Sequence, residues 1–450
     1  GVVSLAQGPP SFGRREMHQP NTQYDEVSSN ERNARPAKEA FTNLMAFWVC
    51  GLLNNYGYVI MLSGAEDILP GMGGAILACD IAPALVVKAT APFWVHHFTY
   101  PMRVVICTLL SVASFYCVAL FHASGMRLFG VVLASISSGW GEITFLALAS
   151  FYDPKIITAW SSGTGFAGIA GAGWYLLFSS VGVPPAATLC IAGVFPLFYA
   201  LAYFCLLQKP DDSRLHGEQS EKLVSGKISP KPRSSSQEDL DGHLHETEAD
   251  TADGRSRLPS VHASAMVQST ESTVGFDATK NMTWQQRVAR IPPLLKYMVP
   301  LMAVYLFEYT INMGVNNSQK MNDMGHKQFY VLASFIYQVG VFLSRSSGSI
   351  FPLKKLWPLP IGQFVLLVFF VIEATTQQPF RLAGLVLPFV FVEGLFGGLT
   401  YVNTYALVNK EVSGRVTTQS QVEPQYREFS MAVVSMSDTI GWLRCLTLQA

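Results

Sequence analysis

The sequence is dominated by apolar runs of about twenty residues, the length at which a helix crosses a bilayer. Eleven such runs occur, at 42–65, 72–93, 103–121, 127–150, 157–180, 186–207, 294–315, 328–346, 357–375, 380–409 and 427–449. They predict an all-α polytopic membrane protein. The tenth run is long enough to extend beyond the bilayer, and the last is interrupted by Arg444. Half of the residues are hydrophobic and 14% are charged, an apolar content above that of soluble chains. The formal net charge is zero, so nothing global attracts nucleic acid. Neither a Gly-rich phosphate loop nor a basic, aromatic-interleaved RNA-binding pattern is present. Seven cysteines lie in or beside apolar runs, without a CxxC pair or a histidine cluster, so no disulfide framework, metal site or cofactor is expected.

Polar sequence divides the runs. Residues 1–41 read as a disordered cytosolic tail and 208–290, with SPKPRSSSQED at its core, as a disordered cytosolic linker. That leaves an N-terminal six-helix bundle over 42–207 and a C-terminal five-helix bundle over 291–450. After Gly441 the chain reads WLRCLTLQA, so the last helix is expected to be truncated. Short-loop Lys and Arg residues, among them Arg103, Lys155, Lys354 and Lys355, favour the side shared by tail and linker, which marks it as cytosolic. The sequon at Asn316 then falls on the lumenal side and is a glycosylation candidate. Two comparable helical sets joined by a long linker form the layout of a two-halved, major-facilitator-like transporter, in which substrate binds near the midplane between the halves.

The stretch VVLASISSGWGEITFLALASFY (131–152) places Glu142 in an otherwise apolar span. Ser135, Ser138 and Glu142 share one helical face, which should turn toward the bundle. Run seven repeats the design with Tyr305, Glu308 and Asn312, and run ten with Glu393, Gly397 and Thr400 beside Asn403. Run one offers Asn54, Asn55 and Tyr58, and run two offers Asp80 and Lys88 on one face. Matching the halves in order sets Glu142 against Glu393. An ionised side chain at a helix centre costs roughly 3 kcal/mol, so Asp80, Glu142, Glu308 and Glu393 facing lipid unpaired would cost about 12 kcal/mol. Domain stability is itself only about 5–15 kcal/mol. These acids must be protonated, paired or facing water, which suits proton or ammonium binding. Lys88 is a candidate phosphate contact, and Asn54, Asn55, Asn312 and Asn403 are candidate donors to substrate hydroxyls. Lys88 and Arg345 lie toward cytosolic helix ends, where snorkelling competes with ligand contact. In run five, WSSGTGFAGIAGAGW packs tightly through its glycines, Gly165 among them, and a Ser-lined gate around Ser161, Ser162 and Thr164 is the functional reading.

FWVCGLLNNYGYVIMLSGAEDIL (47–69), ACDIAPALVVKATAPF (78–93), AWSSGTGFAGIAGAG (159–173), VPLMAVYLFEYTINMGV (299–315), YQVGVFLSRSS (337–347), EGLFGGLTYVNT (393–404) and REFSMAVVSMSDTIG (427–441) resemble the battenin family, membrane proteins of lysosomes and vacuoles. The resemblance implies a major-facilitator-like fold, distantly similar to equilibrative nucleoside transporters. It also implies roles in lumenal pH, basic amino acid balance and clearance of glycerophosphodiesters. Glu308, Arg345 and Asp438 fall in matching blocks and are carried over as functionally sensitive.

The expectation is a non-enzymatic lysosomal or vacuolar carrier that exports a small polar metabolite, a glycerophosphodiester before others, by alternating access with possible proton linkage. The bilayer, the metabolite and protons are its expected partners, with trafficking proteins on the linker. The alternatives are a membrane scaffold acting through that linker, a basic amino acid or nucleoside-type carrier, and an intramembrane hydrolase. The hydrolase lacks a GxGD motif or a histidine-based nucleophile pair.

Overall fold

The computed structural model describes residues 22–64, 67, 69–208, 284–315, 321, 323, 325–376, 382–414 and 423–441. Among them no strand occurs. The helices are α1 (Thr22–Ser63), α2 (Gly73–Trp94), α3 (Tyr100–Leu120), α4 (Ser124–Ala149), α5 (Lys155–Ser180), α6 (Pro185–Leu206), α7 (Leu295–Tyr309), α8 (His326–Ser346), α9 (Pro358–Thr375), α10 (Ala383–Gly414) and α11 (Glu423–Val434). A further short helix covers 436–441. Residues 1–21, most of the linker, Asn316 and 442–450 lie outside the described residues, and with them the glycosylation and truncated-helix expectations.

Among the described residues, eight helical segments, those of α1–α4, α6, α7, α9 and α10, are long and apolar enough to cross a membrane. The apolar part of α10 runs for 30 residues, so it is longer than a bilayer needs. The other three helices show why composition alone understates them. Glycine-rich α5 packs on α1 and α8, α8 packs on α5 and α10, and short α11 sits against α2, α4 and α10. Helices covered by protein need fewer apolar side chains than helices facing lipid.

Two boundaries depart from the composition-based reading. Helix α1 starts at Thr22, upstream of the apolar run, where a disordered tail is expected. Extending a helix already nucleated in the membrane costs far less than starting one, so a polar segment can remain helical there. Helix α6 is broken: Pro185–Ala192 is followed by a turn at Gly193, and Pro196 opens a second segment ending in a π-turn, Ala202–Leu206. A proline ring cannot continue the preceding helical ladder.

Glycine sets the approach of α1 to α5. A Cβ on Gly163 would lie 2.0 Å from the Trp48 carbonyl oxygen, and one on Gly51 2.5 Å from that of Trp160. Both obstacles are backbone, so Gly163→Ala is expected to lower stability by about 1–3 kcal/mol. Gly173 has nothing within 4 Å of its Cβ position. Gly173→Ala is expected to leave stability unchanged or raise it slightly, since alanine favours helix. Equal melting shifts for the two variants in detergent would contradict this packing account.

The apolar core is divided unevenly. One cluster joins α1–α6 to α7–α11, bringing Phe47, Tyr100, Phe145 and Trp160 together with Tyr401, Tyr405, Val408 and Phe429. A second cluster, with Tyr56, Ile60, Ile76 and Phe115, belongs to α1–α6 and their connections alone. A third, with Ile311, Phe329, Phe370 and Val390, belongs to α7–α10 and the loops joining them. One group of polar contacts between the two sets lies at the end where the linker leaves. There Arg103 pairs with Glu428, Arg287 Nη1 donates to Pro92 O (2.8 Å), and Arg427 Nη1 donates to Ser150 O (3.2 Å). Gln208 N donates to Asn43 Oδ1 (2.9 Å) at the same end.

Candidate functional site

A buried polar cavity lies between the two sets of helices. It is small, about 80 Å³, and is lined by Asn55 and Tyr58 of α1, Asp80, Ala84 and Lys88 of α2, Ser135, Ser138 and Glu142 of α4, Tyr305 and Tyr309 of α7, Arg345 of α8, Tyr401 of α10, and Asp438 and Thr439. A space of that size admits a few waters and no larger metabolite.

Helix α2 is opened at the cavity wall. The Ser135 hydroxyl accepts a hydrogen bond from Ala84 N (2.9 Å) and donates to the Asp80 carbonyl, so it stands inside the α2 ladder next to Pro83. A side chain inserted there is a recognised cause of helix bending. The serine stripe of α4 thus positions Asp80 and Lys88 as well as Glu142.

The charges divide into two groups. Lys88 Nζ lies 2.6 Å from Glu142 Oε2 and 3.0 Å from each carboxylate oxygen of Asp438. All three side chains are buried. Asp438 Oδ1 also accepts from Thr439 N (2.6 Å) and Thr439 Oγ1 (3.0 Å), while Tyr401 Oη donates to Glu142 Oε1 (2.7 Å). Lys88 is therefore enclosed by carboxylates, one of them across the interface between the helical sets.

Arg345 is held differently. Its Nη1 donates to Thr164 Oγ1 (2.8 Å), its Nη2 donates to Tyr305 Oη (3.0 Å), and its guanidinium lies 4.1 Å from the Tyr401 ring centroid. Its Nε is buried without a hydrogen-bond partner. Among the described residues no carboxylate forms an ion pair with it. The cavity wall thus presents one cation that hydroxyls and a ring face hold and that, among the described residues, has no carboxylate in ion-pair contact.

Several candidate residues lie elsewhere. Asn54 donates to Ser138 O (3.1 Å) and packs where Gly141 leaves room, away from the cavity lining. Asn403 accepts from Leu353 N (2.7 Å) and donates to Leu399 O (2.9 Å), so it fastens the loop after α8. The Ser162 and Ser346 hydroxyls are 2.8 Å apart, and Ser161 is buried beside them in sequence, so this stretch joins α5 to α8. Gly165 allows Phe342 and Arg345 to approach. Glu308, Asn312 and Glu393 line no part of the cavity. They form a separate polar group among α7, α8 and α10. The wall residues that sequence reasoning missed are mainly tyrosines, Tyr309 and Tyr401. Their rings read as apolar, although Tyr305 and Tyr309 at i, i+4 form a stripe.

The sequence matches the family described as CLN3 protein over residues 45–447. The chain belongs to the CLN3 protein family. Battenin of Canis lupus familiaris is 34% identical over 433 residues, covering 89% of this chain and 87% of the relative. Protein BTN1 of Yarrowia lipolytica is 33% identical over 406 residues, covering 88% and 90%. Among solved structures, the proton:xylose symporter XylE superposes with a TM-score of 0.52 at 11% identity, covering 92% of this chain and 90% of that one. A bacterial homologue of the iron transporter ferroportin gives 0.51 at 12% identity, covering 91% of each. This member of the family is therefore a multi-pass membrane protein with a major-facilitator-type, two-bundle helical fold.

Proposed function

We propose that this protein is a carrier of a small polar anion, with a phosphodiester such as a glycerophosphodiester as its cargo, working by alternating access in a lysosomal or vacuolar membrane. The observation that carries the reading is Arg345, a cavity-wall cation without an anionic partner. A guanidinium offers a planar fork suited to phosphate oxygens. Lys88 is a poorer partner for phosphate, because Glu142 and Asp438 already surround it. The phosphodiester itself comes from the battenin resemblance. Proton linkage and a part in lysosomal pH balance belong to the same proposal, as do a cytosolic tail and linker.

The placement of contacts supports the mechanism. The largest core cluster and the Arg103–Glu428 pair join the helical sets on the linker side, whereas the remaining two large clusters each belong to one set. A carrier closed toward the cytosol would have this distribution, and widening the cavity would then proceed from the other side.

The test is uptake by the purified full-length chain in liposomes. Radiolabelled glycerophosphocholine should enter saturably and faster with a pH gradient, and lysine and uridine should neither enter nor compete. Preferential lysine or uridine flux would sink the anion reading. Deleting 212–280 should leave flux largely intact; loss of cellular function with intact flux would instead favour a scaffold on the linker.

A further inference from the structure

We propose that Glu308 and Glu393 form a second site, behind the cavity and within the C-terminal helical set, which holds one exchangeable proton. Its role in transport rests on the carrier reading above; its chemistry does not.

The two carboxyls are brought together by crossed pairs on facing helices. Glu308 and Asn312 stand four residues apart along α7 and its π-helical continuation, Thr310–Val315. Glu393 and Gly397 stand four residues apart on α10. Asn312 Nδ2 donates to Glu393 Oε1 (2.9 Å), and a Cβ on Gly397 would lie 2.1 Å from Glu308 Oε2. Asn312 therefore meets Glu393 while Glu308 meets Gly397, which brings both carboxyls to the one contact between α7 and α10. Gly397 is the place where α10 must lack a side chain for Glu308 to fit.

Both acids are withdrawn from solvent: Glu308 is 3% exposed and Glu393 0%. Tyr337 Oη donates to Glu308 Oε1 and Asn312 to Glu393 Oε1. The second oxygen of each, Oε2, is buried without a hydrogen-bond partner.

Arg345 is the cation whose charge reaches Glu308, and it forms no ion pair with either acid. The groups around the pair are Tyr305 and Tyr309 of α7 and Tyr337 and Arg345 of α8. Helix α9, packed on α7, buries Gln363 and Glu373 and carries no Lys, Arg or His. Arg345 is engaged with Thr164, Tyr305 and the Tyr401 ring, and among the described residues no cation pairs with Glu308 or Glu393. Two ionised carboxylates here would be mutually repelling, unpaired charges inside the membrane. One bound proton removes one charge and the repulsion together. A divalent cation such as Ca²⁺ would want six to eight oxygens, whereas Asn312 turns its Nδ2 toward Glu393, so the two carboxyls and the Tyr337 phenol supply at most five.

The site adjoins the anion position without sharing it. Tyr305, which receives a hydrogen bond from Arg345, lies three residues before Glu308 on α7, and Tyr337 and Arg345 share α8. A change in either site therefore bears on the same two helices. On release, the proton leaves the acid for water on whichever side the cavity opens to, and a carboxylate remains.

The experiment uses the full-length protein in nanodiscs, with infrared difference spectra between acidic and neutral buffer. Wild type should show a pH-sensitive carboxylic-acid band that is absent from E308Q/E393Q and present in E142Q. Persistence of the whole band in the double variant would overturn the site. Should the double variant fail to fold, the single variants decide: an unchanged band and midpoint in both E308Q and E393Q would overturn it equally. In proteoliposomes with an entrapped pH dye, glycerophosphocholine-evoked proton movement should fall at least tenfold in E393Q. Unchanged movement, or a requirement for Na⁺ in place of the pH gradient, would overturn its role. A wild type that shows the band but carries no phosphodiester would defeat the anion reading and leave the proton site standing.

Discussion

Arg345→Gln is expected to weaken phosphodiester binding roughly 30-fold at least, and up to several thousand-fold. Truncating one member of a buried, hydrogen-bonded charge pair costs about 2–5 kcal/mol, and each 1.4 kcal/mol is about tenfold in Kd. The cost should fall at the high end, because the wall offers little to replace the guanidinium. Lys88 is occupied by two carboxylates, and the other side-chain donors are hydroxyls and the Asn55 amide, all uncharged. Arg345→Lys keeps the charge but loses the fork and the flat contact with the Tyr401 ring, so it should fall between glutamine and wild type. Equilibrium binding of labelled glycerophosphocholine to the purified protein measures both variants. A Kd for Arg345→Gln within threefold of wild type would remove Arg345 from substrate recognition. The opposite ordering, with Lys88 variants alone losing binding while folded, would transfer the role to Lys88.

The two basic residues show what could and could not be read along the chain. A charge within twenty apolar residues is conspicuous, so Asp80, Lys88, Glu142, Glu308 and Glu393 stood out at once. Pairing is not conspicuous, because it depends on which helices are neighbours. Lys88 meets Glu142 54 positions later and Asp438 350 positions later, and no local spacing encodes either contact. Along the chain both Lys88 and Arg345 read as either ligand contacts or interfacial snorkellers, with Lys88 the phosphate candidate and Arg345 functionally sensitive by resemblance, whereas the structure surrounds the lysine with acids and sets the arginine in the cavity wall. Nor does a charge's place in the chain tell which chamber it joins. Asp80, Glu142 and Asp438 line the cavity; Glu308 and Glu393 lie behind it. Asn54 and Asn403 looked like ligand donors but serve backbone carbonyls and amides. The helices themselves were legible because apolar length is a local property. Even there, the break in α6 needed attention to Gly193 and Pro196 inside an otherwise continuous apolar run.

Lys88→Met should be among the most destabilising single changes in the protein, and the reason is arithmetic. In the native arrangement one ammonium serves two buried carboxylates, so the group carries a formal charge of −1 when all three are ionised. Removing the lysine leaves Glu142 and Asp438 facing each other with no cation between them. Leaving a buried charge unpaired costs about 3–5 kcal/mol. Glu142→Gln or Asp438→Asn removes one acid and leaves a one-to-one pair, so either should cost much less. Glu142→Gln should be the milder in packing, since its amide oxygen can accept from Lys88 while the Tyr401 hydroxyl turns to accept from its NH2, whereas Asp438→Asn sets an amide nitrogen 3.0 Å from Lys88 Nζ, donor against donor. The triple variant Lys88→Met, Glu142→Gln, Asp438→Asn removes every charge at once and should recover most of the stability lost in Lys88→Met, as neutral replacements of buried ion groups often do. It should not recover transport if the crossing contact between α2 and the segment after α11 has to break and re-form in each cycle. Thermal unfolding in detergent gives the ordering directly. A Lys88→Met protein that melts with Asp438→Asn would mean that the carboxylates are already neutral acids in the native state, and that the group is a hydrogen-bonded cluster with no ion pair in it.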